Sequence, residues 1–380
     1  MRAIELLPKI ITILFFFVVL SYYIFFFIKR KTPKKTKHFS SIAIIIPAHN
    51  EERYIEECIQ AVLTSSFPGE KKVFVVDDGS TDNTSKIVQA IQNIHYIKKS
   101  HTGKADSLNT ALKRATQDII AVVDADSIIQ PDALIHTKAA LERKNTVACT
   151  GAVRVKNKHT FFGLWLHIEQ LYNSLIRSLF SRINANIVTP GPLSVYRRKE
   201  LLSVGGFSTD GFSEDINIAV RLIRKGHIIA YADNVITDTY MPHTVKEFFR
   251  QRSRFARGLI HVLKRNLKVN NTIIDLYTLP LFLFVYIQAV IMGVFTLYNI
   301  TSGYITYFAA KGEFMSLLVV RFFFEWFSAI GFVKWVITLL SGTTPLTAVA
   351  IAGAAATLLT YPLYFAAIFK YDKKIDWHHY

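Results

Sequence analysis

The chain has 380 residues and a mass of 43.2 kDa; 51% of the residues are hydrophobic, only 19% are charged, and the mean hydropathy is +0.26. A soluble globular chain carries about 25% charge, so the deficit must sit in long apolar runs, and this excludes both a wholly soluble chain and a disordered one. The 45 Lys and Arg against 28 Asp and Glu leave a surplus of +17, which admits nucleic acid, anionic lipid or a polyanionic substrate as partner until its location is known.

In chain order, Ile10–Ile28 comes first, an uncharged run long enough for a helix to cross about 30 Å of hydrocarbon. Lys29–Lys37 follows, with nearly every other residue basic, whereas only Arg2 and Lys9 precede the run. The positive-inside rule therefore places residue 29 onward in the cytoplasm. A cleaved signal peptide has a shorter core, a small-residue cleavage site and its charge in front. Residues 1–28 are predicted as a retained transmembrane anchor. Residues 29–40 are predicted as a basic juxtamembrane linker touching anionic headgroups at about 1 kcal/mol per residue. With no base-reading motif beside this charge, nucleic acid is not expected as a partner.

Residues 41–243 have the composition of a soluble domain. Short β-branched runs at Ile42–Ile46, Val73–Val76 and Ile119–Val123 alternate with helical stretches at Glu51–Thr64 and Lys104–Ala115. Apolar strands separated by helices predict an α/β domain with a mainly parallel sheet covered on both faces. Cys58 and Cys149 fit neither a disulfide framework nor a metal-ligand spacing and are expected as buried thiols.

The turns after these strands carry the chemistry. Pro47–Glu52 follows the first strand, at the sheet end where open α/β folds bind ligands; the plainer reading is a helix cap by His49 or Asn50, with Glu51 and Glu52 in the first turn. Asp77 and Asp78 end the second strand, and two adjacent acids exceed what capping needs, so one can accept a nucleobase N–H. Lys104 follows Gly103 at a helix start, where a cation is unfavourable unless an anion is present; it is a phosphate candidate or else an exposed lysine. Asp124-Ala125-Asp126 ends the third strand, and residues i and i+2 of an extended segment point the same way, which suits Mg2+ or Mn2+ bridging to phosphate. Asp215, in Ser213-Glu214-Asp215, is either a helix cap or a general base.

Val245–Lys264 sets Phe248, Phe249, Phe255 and Leu259 among Arg250, Arg252, Arg254 and Arg257, predicting an amphipathic interfacial helix within 244–270. Leu276–Ile300 and Pro345–Phe369 are uncharged and long enough to span. Phe314–Leu340 is apolar but holds Arg321 and Glu325 four apart, able to neutralise each other or to line a polar path. Residues 271–380 are thus expected to form about three transmembrane helices, or fewer crossings if 314–340 is re-entrant.

Taken together, PAHNEE (47–52), DDGS (77–80), GKADSLN (103–109), DAD (124–126), GPLSVYRR (191–198), SED (213–215) and QRSRF (251–255) resemble the membrane-bound family 2 glycosyltransferases, the synthases of hyaluronan, chitin oligosaccharide, poly-N-acetylglucosamine and cellulose. The likeness covers roughly residues 40–260. It implies a GT-A-like, Rossmann-type domain at the cytoplasmic face of the plasma membrane. The roles it implies place Pro47, Ala48, Glu51, Asp77, Asp78, Lys104 and Asp124 around the donor nucleotide, and Asp124 and Asp126 on Mg2+ or Mn2+. Asp215 becomes the base, grouped with Glu214, and Arg254 steadies the leaving pyrophosphate. Gly191, Pro192, Gln251 and Phe255 fall on the acceptor side. Phe255 stands where the family has Trp, which keeps a flat apolar face but loses an N–H and bears on acceptor identity and processivity.

The activity so implied is inverting transfer from a UDP-sugar, N-acetylglucosamine or a related hexose, onto a growing polysaccharide, coupled to export. An accessory subunit or a second copy is left open. One rival is transfer of a single sugar to a polyprenyl-phosphate or other lipid acceptor, against which QRSRF speaks. Another is a non-catalytic nucleotide-binding protein, against which the intact set Asp126, Asp215 and Arg254 speaks. The enzymatic reading requires those three side chains to face one space.

Overall fold

The computed structural model describes residues 2–29, 34–211, 213–266, 272–285, 287, 288 and 291. The spans expected at 314–340 and 345–369, and part of 276–300, lie outside the described residues. What is described falls into two units, one running from Phe25 to Leu279, the other comprising residues up to Ile24 and those from Pro280 onward.

The first helix, α1 (Arg2–Phe27), has 26 residues. Leu14, Phe17 and Ile24 on it are exposed, while Ile11, Val19 and Tyr22 are buried. Among the described residues, which omit several side chains in the first half of α1, no helix is long and apolar enough to cross a membrane. The final turn of α1 belongs to the larger unit and is held there. Arg182 donates to the carbonyls of Phe25 (3.2 Å), Phe26 and Ile28 (2.9 Å), and Phe25 meets Phe180 and Tyr277 edge-on at 6.1 and 5.4 Å.

The larger unit runs β1 (Ser41–Ala48), α2 (Ile55–Thr64), β2 (Glu70–Asp78), α3 (Thr84–Gln89), β3 (His95–Lys99), α4 (Lys104–Arg114), β4 (Ile119–Val122) and β5 (Ser127–Ile129). Then come α5 (Ala133–Leu141), β6 (Thr146–Val155), α6 (Phe161–Ser181), β7 (Ser194–Arg197), α7 (Arg198–Ser203), α8 (Glu214–Arg224), β8 (Ile228–Thr239) and α9 (Val245–Arg265). A π-helical turn, Ile274–Thr278, closes it.

One sheet orders these strands β3-β2-β1-β4-β7-β6-β8-β5. The pairs β2–β3, β1–β2, β1–β4 and β6–β8 are parallel, whereas β4–β7, β6–β7 and β5–β8 are antiparallel. Parallel neighbours require crossovers, and α2, α3 and α4 provide them for the first half of the sheet. The sheet is therefore mixed. Only β5 and β7 run against the common direction, and both are short, so neither has the apolar length that betrays a strand in sequence. Ile42, Ile44, Ile45 and Ile46 of β1, Val75 and Val76 of β2 and Ile119–Ala121 of β4 are fully buried. Each such Ile or Val side chain contributes about 1.5–3 kcal/mol. The core thus fixes the strand ends from which the functional loops emerge.

The linker after α1 is not free basic chain. Lys35 and His38 lie 3.2 and 3.3 Å from the carboxylate of Glu142, Thr36 and Lys37 donate backbone N–H groups to its carbonyl, and Lys37 also pairs with Glu200 at 3.3 Å. Part of the charge expected to rest on lipid is taken up by the domain's own acids.

Candidate active site

Strands β1 and β2 end side by side, with Ala48 opposite Asp77, and β4 ends on the other flank of β1, with Val122 opposite Ile45. The turn after β1 is set by Asn50, which takes a positive φ of 57°, a conformation Asn tolerates better than most residues. Asn50 donates its N–H to Ser80 Oγ (3.0 Å) and accepts from the Thr81 N–H (2.8 Å), while Glu51 N donates to Thr84 Oγ1 (2.8 Å) and Glu52 N to Asp82 Oδ2 (3.1 Å). PAHNEE and the loop after β2 are thus laced together. Helix α2 begins only at Ile55, so neither His49 nor Asn50 caps it; His49 Nδ1 instead meets the Asp78 carbonyl at 2.8 Å.

Asp77 and Asp78 are 0% and 3% exposed. Asp77 accepts from Ser80 N (2.8 Å), Tyr96 OH (2.8 Å) and Ser85 Oγ. Asp78 accepts from Lys99 Nζ (2.7 Å), Thr102 N (3.0 Å) and Gly103 N (2.8 Å). Burial alone would raise the Asp78 carboxyl, but Lys99 and the two backbone N–H groups outweigh it and hold it at about 2. Every oxygen of this pair already has a protein donor. The two acids shape the floor of the site and fix Gly103 as the residue from which α4 starts.

That start delivers Lys104. Its ammonium lies 2.6 Å from Asp124 Oδ1 and 3.1 Å from Glu214 Oε1, tying the end of β4 to the first residue of α8 with 36% of the side chain exposed. Burial pulls the Lys104 pKa down, and the charges of Asp124 and Glu214 push it well above the usual lysine range. Gly191 explains why its motif begins with glycine: a Cβ there would stand 2.0 Å from Asp124 Oδ2. The Asp124 backbone is pinned as well, its N–H donating to the Gly191 carbonyl (3.1 Å) and its carbonyl accepting the Cys58 thiol (3.4 Å).

Three further carboxyls are pushed upward. Asp126 rises to about 6 through burial and then the charge of Asp124, although Ser127 Oγ donates to it at 3.0 Å. Asp215 rises to about 7 through burial and then Glu214, with Lys104 opposing. Glu51 rises to about 8 through burial, then Asp126, Asp124 and Asp82, with Arg254 opposing. Asp126 and Asp215 thus both feel Lys104 and Asp124, while Glu51 feels Asp126 and Arg254. Glu51, Lys104, Asp124, Asp126, Gly191, Glu214 and Asp215 share one neighbourhood, and Arg254 reaches it from α9. Ser213 makes no side-chain cap to α8, and Asp215 lies within the first turn, where an acid is favourable.

Helix α9 starts with a capping box between Thr244 and Glu247. It leaves Val245 and Phe249 each 63% exposed while burying Leu259 and Val262. Arg252 pairs with Glu169 at 2.6 Å. Arg254 forms no ion pair among the described residues; its guanidinium lies 5.7 Å from the ring of Phe255, which is 43% exposed. Among the described residues the Gln251 amide reaches Met241 Sδ, at 3.9 Å.

Sequence reasoning missed the Tyr54–Tyr240 stack, with centroids 4.3 Å apart. Tyr240 donates its N–H to the Asp126 carbonyl (3.1 Å) and its hydroxyl to Glu57 (2.9 Å), which also pairs with Lys156 (3.0 Å). Isolated aromatics this far apart in sequence carry no local signal. Among the described residues no three His, Cys, Asp or Glu side chains form a ready-made metal cage; Asp124 and Asp126 offer two hard carboxylates. A hollow of about 530 Å³ between α2 and α3 shares no lining residue with this cluster.

Residues 43–203 match the family model described as Glycosyl transferase family 2. Poly-beta-1,6-N-acetyl-D-glucosamine synthases of Staphylococcus epidermidis and Staphylococcus aureus (strain COL) are each 29% identical over 236 residues, 59% of this chain. The match spans 56% of each synthase, little more than half its length. Among solved structures, the mannosyltransferase PcManGT from Pyrobaculum calidifontis, in complex with GDP-Man and Mn2+, superposes with a TM-score of 0.58 at 19% identity, covering 99% of this chain and 98% of that one. The expected GT-A-like α/β fold is present, with a mixed sheet.

Proposed function

With residues 43–203 forming a glycosyltransferase family 2 domain, we propose that the chain transfers a sugar from a UDP-sugar, with inversion, onto a hydroxyl of a growing carbohydrate. N-acetylglucosamine leads the candidate sugars because the staphylococcal relatives are named for its polymer. One observation carries the reading: Lys104 bridges Asp124, at 2.6 Å, and Glu214, at 3.1 Å, which brings the end of β4 with its Asp124–Asp126 pair to the start of α8, where Asp215 lies.

In the proposed step the acceptor oxygen bonds to the anomeric carbon while the bond from that carbon to the diphosphate oxygen breaks. The hydroxyl proton passes to Asp215, and UDP departs with the electron pair. A base works best with a pKa near the working pH, which burial and Glu214 provide for Asp215. Arg254 supplies positive charge for the departing diphosphate. Glu51, pushed up by burial and then by Asp126 and Asp124, stands beside the same cluster as a hydrogen-bonding partner for the donor. Asp124 and Asp126 present the oxygen ligands that Mg2+ or Mn2+ prefers, and such an ion would neutralise diphosphate charge.

The proposal also sets the domain at the cytoplasmic face of the plasma membrane in a multi-pass chain, with the polymer leaving past the C-terminal segments. The uncharged Ile10–Ile28 run, the outward apolar side chains of α1 and the exposed Val245 and Phe249 on basic α9 support it. The full chain incubated with radiolabelled UDP-sugars and Mn2+ tests the reading. Sized chains from UDP-N-acetylglucosamine are expected; one sugar on an extractable lipid would make it a lipid-acceptor enzyme, and no UDP release from any donor would remove the activity.

A further inference from the structure

The backbone of Asp124 is fixed. Its carboxylate fills the space where Gly191 lacks a Cβ, and its backbone is held by Gly191 and by the Cys58 thiol. Lys104, on a flexible stem and partly exposed, is the movable partner in the 2.6 Å contact between them. A divalent ion taking Asp124 would set two positive charges beside the ammonium, so the ammonium has to leave. In the absence of nucleotide its remaining partner is Glu214, already 3.1 Å away. A bound diphosphate would give it a second anion.

Building on the function proposed above, we infer that Lys104 is an internal counter-ion, holding the cation's place on Asp124 until a nucleoside diphosphate arrives and draws the ammonium away. Divalent cation and nucleotide then bind as a coupled pair. By linkage each tightens the other by the same factor. The bare site resists free cation, and α4 begins with a lysine at its positive end because the anions of the site compensate it.

Mn2+ titrated into the full chain, with free ion followed by electron paramagnetic resonance, tests this on the wild type and on Lys104→Met, each with and without UDP. UDP is expected to tighten Mn2+ on the wild type about tenfold or more, about 1.4 kcal/mol. Lys104→Met is expected to bind Mn2+ several-fold tighter than the wild type without UDP, and to gain less when UDP is added. A crystal structure of the wild type with Mn2+ and UDP separates displacement from simple charge removal and does not depend on the variant folding. Lys104 Nζ should lie beyond ion-pair reach of Asp124, about 4 Å. A lysine still on Asp124 in that complex, or equal UDP-free affinity in the two proteins, overturns the counter-ion role and leaves glycosyl transfer standing. No Mn2+ binding even with UDP would instead remove the cation assignment of Asp124 and Asp126.

Discussion

Two sets of acids at the same end of the sheet behave in opposite ways. Asp77 and Asp78, at the end of β2, are buried, each supplied with at least three protein donors and held below the usual carboxylate range. Asp126, Asp215 and Glu51 are held above it, because burial and like charge outweigh the few donors they have. Asp77 and Asp78 are closed to solvent, whereas Glu51, Asp126 and Asp215 are partly exposed in the site; desolvation by the surrounding protein acts on both sets, and the hydrogen-bond supply differs. A carboxylate given enough N–H groups becomes scaffold, and one starved of them keeps an appetite for a proton or a cation.

The largest effect should come from the starved set. Asp215→Asn is expected to lower the transfer rate by about 10^3-fold, within the usual range for loss of a general base, while UDP affinity measured by calorimetry stays near that of the wild type. Full turnover in that variant would dissolve the contrast. Gly191→Ala comes next. The new methyl must displace the Asp124 carboxylate, so transfer should fall by about tenfold or more, and the Mn2+ concentration needed for half-maximal rate should rise. Asp78→Ala should act on the scaffold, stranding the N–H groups of Thr102 and Gly103 and the Lys99 ammonium. An unfolding free energy lower by about 3 kcal/mol is expected, read by urea denaturation.

Acidity sharpens the comparison with the smallest perturbation. Asp78 has a folded pKa of about 2, below its unfolded value near 3.9, so its stabilisation is present above about pH 3.9 and fades as the pH falls through 2. Asp215, raised to about 7, has the opposite sign: its stabilising share is present below about pH 3.9 and lost as the pH rises through 7. Asp215→Asn should therefore unfold later than the wild type at pH 8 and like it at pH 4, although it turns over about 10^3-fold more slowly. The wild-type transfer rate should climb from pH 5 to pH 8 as Asp215 gives up its proton.

Much of this architecture was legible in the residues. The apolar runs of β1, β2 and β4, the helices α2 and α4 and the acids after each strand are local patterns, and burial of one sheet makes them so. The reversed strand β7 was not, because four residues inside a functional motif carry no alternation to read. Nor were the hydrogen bonds that hold Asp77 and Asp78, whose donors Tyr96, Thr102 and Gly103 lie in later segments. The pairing of Lys104 with Asp124 and Glu214 likewise joins three stretches that only the fold brings together. The start of α2 at Ile55 rather than Glu51 follows from the backbone turn at Asn50, invisible in composition.

Cys58 lies under this site, unexposed, with its thiol on the carbonyl of Asp124, and Cys149 is equally enclosed. The folded chain thus offers alkylating agents no sulfur among its cysteines. Labelling at position 58 becomes a native clock for the moment α2 lifts away from the end of β4, with no engineered probe and no dependence on turnover.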